Sequence, residues 1–79
     1  MATKDLTSTV TTKDPRAAAQ FRTKREAAKA ARQLLGYGPS DVIRIEVMGF
    51  IMWAIADAHM NYVSKVYYDR VVAGRSVIL

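Results

Sequence analysis

Arg22, Arg25, Lys29 and Arg32 recur at intervals of three, four and three residues. On a helix turning about 100° per residue, these four cations fall within roughly 80° of one another. Three of the four are arginine, whose guanidinium fork can bond two phosphate oxygens at once. Glu26 is the sole acid between Arg16 and Arg32. A face that merely meets solvent is the competing reading, but such a face mixes signs through i, i+4 pairs, and this one does not. No aromatic is interleaved with the stripe, no Asn lies in the segment, and Gln20 and Gln33 fall off it. Base edges therefore have no reader. The chemistry expected is sequence-independent contact with nucleic-acid phosphates, carried by Arg16, Arg22, Arg25, Lys29 and Arg32.

A catalytic set is not expected. Glu46 and Asp57 share a polar stripe with Asn61, Ser64 and Tyr68, but on one helix they would stand roughly 16 Å apart, too far to share a substrate. The chain has no cysteine, so it offers no thiol nucleophile, disulfide or thiolate metal site. His59 is the single histidine and cannot hold a metal alone. No Gly-rich phosphate loop, His-Glu metal motif or Ser-His-Asp set is present. The expectation is a chain that is not an enzyme and takes no cofactor and no metal.

The elements that must position these residues follow from the pattern along the 79 residues, read as a single domain. Residues 1–13 form a polar arm rich in Thr and Ser, extended or disordered until something binds it. No leader peptide is expected, because the first apolar run begins only after residue 41. Asp14-Pro15 is a helix start, with Asp as cap and Pro in the first helical position. From there the Ala-, Lys- and Arg-rich composition carries a basic helix over 15–35, within a segment 14–36. Gly36 ends it, and 37–40 makes the turn. Ser40 then caps, and Asp41 complements, a second, apolar helix over 41–73. The β-branched residues of 42–48 allow a strand there instead; continuity into the following apolar stretch favours the helix. An apolar tail, 74–79, ends in Val77-Ile78-Leu79. The expected fold class is all-α: a hairpin of two antiparallel helices.

Charge divides unevenly over that plan. Residues 1–40 hold eight basic side chains (Lys4, Lys13, Arg16, Arg22, Lys24, Arg25, Lys29, Arg32) against Asp5, Asp14 and Glu26, whereas 41–79 hold four of each sign. A cationic first half implies a polyanionic partner, nucleic acid or a membrane surface. In 47–56 (VMGFIMWAIA) no polar side chain occurs. A helix apolar all round must be buried all round, so the neighbours are expected to be other copies of the chain. The interface anchors would be Phe50, Ile51, Trp53, Ile55, Tyr62, Tyr67 and Tyr68. A membrane span needs about 20 apolar residues, more than this run supplies. In an antiparallel hairpin Lys24, on the apolar side of the first helix, comes level with Asp57, and a buried ion pair between them is expected.

A small helical subunit with a polar arm, a basic segment at Arg16–Arg32 and an apolar helix through 47–56 resembles the major coat proteins of rod-shaped and filamentous viruses. Inovirus coat proteins are similar in size but place acidic residues first and basic residues last. The helical-hairpin coat subunits of bacilliform archaeal viruses, the clavavirus group, are closer over residues 15–73. The resemblance implies a virion protein, assembled in the host cytoplasm, whose many copies build a helical shell around double-stranded DNA. The rival expectation is a conjugation-type pilin or a small membrane-associated helical protein, with lipid in the assembly.

Overall fold

The computed structural model describes residues 10–78, with side-chain surroundings for 10–74. It is a mixed α/β fold, not a helical hairpin. Its strands are β1 (Thr11–Thr12), β2 (Val42–Val47), β3 (Phe50–Ile55) and β4 (Tyr62–Val63), and its α-helices are α1 (Lys24–Arg32) and α2 (Lys65–Ile78). Two single 3-10 turns, Pro15–Ala17 and Pro39–Asp41, complete it.

The largest departure from the all-α expectation lies in 41–73. The strand alternative for 42–48 is what forms, and the apolar run folds back on it. β2 and β3 pair antiparallel from Val42↔Ile55 to Val47↔Phe50. Met48 and Gly49 make the two-residue turn, with φ of 52° and 84°. Two successive positive φ values are the signature of a hairpin turn whose twist matches the strands. Of the ten apolar residues, Val47, Ala54, Ile55 and Ala56 are thus buried within their own chain, while Met48, Phe50 and Ile51 stay exposed. Successive side chains of a strand face opposite ways, and here core residues pack on both faces. On one face Ile55 joins Ala30, Ala31, Leu34 and Val63, with Phe21, Tyr67, Tyr68 and Val71 packed around them. On the other, Ile45, Val47 and Ala54 pack with Ala18, flanked by Ile43, Met52 and Tyr62.

The expected basic helix over 15–35 is broken in two. The Asp14 carboxylate does cap, accepting from the Arg16 N–H at 2.9 Å, but over a single 3-10 turn. Ala18 to Phe21 then run extended between the two sheets. The Ala19 N–H donates to the Val63 carbonyl at 2.9 Å, and Phe21 and Trp53 exchange main-chain hydrogen bonds of 2.8 Å in both directions. Ladder bonds and burial of Ala18 and Ala19 outweigh the helix propensity of the Ala-rich stretch. α1 starts only at Lys24, where the Thr23 hydroxyl accepts from the Glu26 N–H at 3.1 Å. Gly36 does take the left-handed conformation, at φ 90°. Ser40 is not a helix cap: the Asp41 carboxylate accepts from the Gly38 N–H at 2.8 Å, and the chain leaves the turn as β2.

Two further boundaries move. Within the polar arm, Thr11–Thr12 pair with β4, while residues 1–9 lie outside the described residues. Ser64, buried, caps α2 through its hydroxyl, which accepts from the Tyr67 N–H at 3.1 Å. α2 continues through Gly74 to Ile78, past the expected stop.

Candidate polyanion-binding face

α1 separates two surfaces. Ala27, Ala30 and Ala31 are buried against the hairpin and Leu34 follows them inward. Arg25, Lys29 and Arg32 are exposed. At about 100° per residue these three cations lie within roughly 60° of one another, half a turn from the buried row. Small alanines on the inner side let the helix sit close to the sheet, which fixes the direction of the cationic side. Glu26 stands in the first turn, where its charge favours the helix N-terminus.

Arg22 is not on the helix. It precedes the Thr23 cap, in the extended segment, and lines a groove with Gln20, Val47, Met48, Phe50, Ile51 and Met52. It remains exposed beside the start of α1. Arg16 belongs to the 3-10 turn, with its Nε 3.5 Å from Asp14 Oδ1. It borders a different cleft, with Phe21, Lys65, Tyr68 and Asp69. The structure therefore keeps Arg25, Lys29 and Arg32 on one face, adds Arg22 at its end, and sets Arg16 on a separate element.

Lys24 and Asp57 are not an ion pair in this chain. Lys24 is exposed in the first turn of α1, its Nζ 6.0 Å from the centre of the Trp53 ring. That is the outer limit of a cation–π contact. Asp57 instead accepts main-chain N–H bonds from His59 at 2.8 Å and Asn61 at 2.9 Å, and the Asn61 side-chain amide at 3.1 Å. The premise of a buried ammonium fails because α1 begins at residue 24 and leaves that turn uncovered. Lys24 thus adds a further cation to the helix. The Thr23-x-x-Glu26 spacing, a capping pattern, is the sequence signal that places the start there.

Among the described residues the ion pairs are Arg16–Asp14 and Lys65–Asp69. Among these residues no carboxylate forms an ion pair with Arg22, Lys24, Arg25, Lys29 or Arg32. The expected interface anchors divide. Ile55 is fully buried in the chain's own core, and Tyr62, Tyr67 and Tyr68 are half-buried against the two clusters. Phe21 and Tyr68 meet edge to face at 5.4 Å. Trp53 is half-buried, whereas Phe50 and Ile51 are exposed near the hairpin tip with Met48.

No group of three potential metal ligands occurs among the described residues. His59 is exposed, and its carbonyl accepts from Lys13 Nζ at 3.0 Å. Burial, aided by the nearby Asp57 charge, pushes the Tyr37 phenol above its usual range. Neither arrangement places a nucleophile beside a base. No helix among the described residues is long and apolar enough to cross a membrane. Comparison with known proteins finds no matching family model, curated protein or solved structure.

Proposed function

We propose that this protein binds nucleic acid without reading its sequence, through the outward face of α1 with Arg22 beside it. One observation carries the reading: Arg25, Lys29 and Arg32 stand opposite the buried Ala27, Ala30 and Ala31, exposed and without a carboxylate partner among the described residues. An unneutralised cationic row on a rigidly seated helix suits a phosphate backbone, and three arginines in Arg22, Arg25 and Arg32 suit it better than ammonium groups would. The coat-subunit expectation is narrowed accordingly. Its likeness to helical-hairpin shells rested on a helix apolar all round through 47–56, and that stretch is the turn and second strand of a β-hairpin. The phosphate contacts do not depend on that helix and remain.

The hairpin tip supports a second reading. Met48, Phe50 and Ile51 share a groove with Arg22, an arrangement that also suits an anionic lipid surface. Titration of the full chain against random-sequence duplex DNA, single-stranded DNA, and vesicles of anionic lipid separates the two. The expected result is binding to both nucleic acids with no sequence preference, lost when Arg25, Lys29 and Arg32 are replaced together by Ala. Vesicle binding abolished by Phe50→Ser, with no nucleic-acid binding, would move the lipid reading ahead.

A further inference from the structure

β2 is an edge strand. Its sheet has two members, and on the side away from β3 no strand adjoins it among the described residues. Which groups it presents there follows from its register. The Ala56 N–H donates to the Asp41 carbonyl at 3.0 Å, so residues 41, 43, 45 and 47 turn their main-chain groups toward β3. Hydrogen-bonded and non-bonded pairs alternate along an antiparallel ladder, so Val42, Arg44 and Glu46 turn theirs outward. The far side of β3 obeys the same parity: Trp53, opposite Arg44, sends its N–H and C=O away from β2 to Phe21. Val42 uses its N–H on the Pro39 carbonyl. Among the described residues Arg44 and Glu46 are left offering an unused donor and acceptor each along this edge. Natural edges are blunted by charged side chains, Lys above all, by Pro, by bulges or by a covering element. β2 contains no Lys and no Pro, its pairing with β3 runs without a bulge, and its two exposed charges, Arg44 and Glu46, are of opposite sign, so they oppose some registers and favour another.

We infer that this edge pairs with β2 of a second copy, antiparallel, with Arg44 opposite Glu46 of the other chain. The sequence selects that register. A twofold axis between two such strands must pair outward-facing residues with one another. Centring it on Arg44 puts Arg44 against itself, and centring it on Glu46 puts Glu46 against itself; like charges directly opposite are destabilising. Centring it on Ile45 pairs Arg44 with Glu46 twice. That register has the correct parity, since both residues turn their main-chain groups outward, so each pair exchanges N–H···O=C bonds in both directions. Both side chains are exposed and on one face of the sheet, free to meet their counterparts. Val42 then falls opposite Met48 of the other copy, which is 83% exposed in the single chain. A continuous four-stranded sheet results, in the order β3–β2–β2–β3.

The dyad of an antiparallel pair stands perpendicular to the sheet. α1 covers the face that carries Val42 and Ile55, so both copies of α1 lie on one side of the joined sheet. The dimer stands without the nucleic-acid reading, but it would present two cationic helices to a single polyanion.

The test is sedimentation equilibrium of the full chain at low micromolar concentration, with Arg44→Glu, Glu46→Arg and the double swap. The expected result is a wild-type dimer, weakened by about tenfold or more in each single reversal, which sets like charges opposite at two places. The double swap restores opposite charges and is expected to return the dimer. Circular dichroism identical to wild type shows that the reversed chains fold, and slow hydrogen exchange of the Arg44 and Glu46 amides in the wild type locates the edge. A monomeric wild type overturns the inference. So does a dimer indifferent to single reversal, or one that the double swap fails to restore.

Discussion

The Asp57 carboxylate closes the loop between β3 and β4, which turns through Met60 at φ 62°. The Asn61 main-chain N–H is the largest influence holding its pKa below the usual 3.8; modest burial opposes it, and the Asn61 side-chain amide and the His59 N–H add to the lowering. The sign of the consequence is fixed. A carboxylate with a depressed folded-state pKa contributes stability that is present above its unfolded pKa and is lost as pH falls through the folded value. The contribution of Asp57 is thus complete by pH 5 and fades below about pH 4. Asn61→Ala removes one donor and keeps the main-chain N–H, so the carboxyl pKa should rise part of the way toward 3.8, as read from carboxyl-carbon chemical shifts against pH. A pKa unmoved by that change would show that the side-chain amide has no part in holding the charge.

At the level of elements the hairpin is the piece that decides the fold, and its turn is its weakest point. Met48 sits at positive φ, a region L-residues other than Asn and Asp visit at a cost, and Gly49 follows at φ 84° with open space around it. Met48→Asn should therefore stabilise the protein by about 0.5–1 kcal/mol, and Gly49→Ala should destabilise it by about 1 kcal/mol or more although no atom is crowded. Urea denaturation of both variants checks the pair; a Gly49→Ala chain as stable as wild type would mean that the turn is not of this kind. The same turn explains why the hairpin was hard to read. Asn-Gly between alternating segments announces a hairpin, whereas Met48-Gly49 sits inside an unbroken apolar run. Nor does 50–55 alternate, because Ala54 and Ile55 are buried on opposite faces, and a strand covered on both sides looks like a buried helix. The extended stretch from Ala18 to Phe21 was equally hidden, since Ala and Gln favour helix locally and the bonds to Val63 and Trp53 come from residues more than thirty positions away. What could be read was local: the Asp14 cap, the left-handed Gly36, the strand option at 42–48, and a helix within the basic segment whose alanines face inward and whose arginines face out.

Across the whole molecule, the +5 net charge is not spread evenly. The Lys65 charge is paired with Asp69, at 2.9 Å on the surface of α2, and Arg16 lies beside Asp14. From Arg22 to Arg32 five cations face a single acid, Glu26, and form no ion pair among the described residues. Binding to duplex DNA through this region would displace condensed counterions, and the dependence on salt counts the phosphates neutralised. If Arg22, Arg25, Lys29 and Arg32 each engage one, the slope of log affinity against log salt should be roughly −3 to −4 per chain. Replacing any one of them by Ala should flatten the slope by about one and weaken all sequences alike. Lys65→Ala is the control: its charge is already matched by Asp69 and it stands on another helix, so the slope should hold. Fluorescence anisotropy of a labelled duplex across a salt series measures the wild type and the five variants. A slope that falls equally for Lys65→Ala and for Lys29→Ala would mean that net charge, and not the face of α1, holds the nucleic acid.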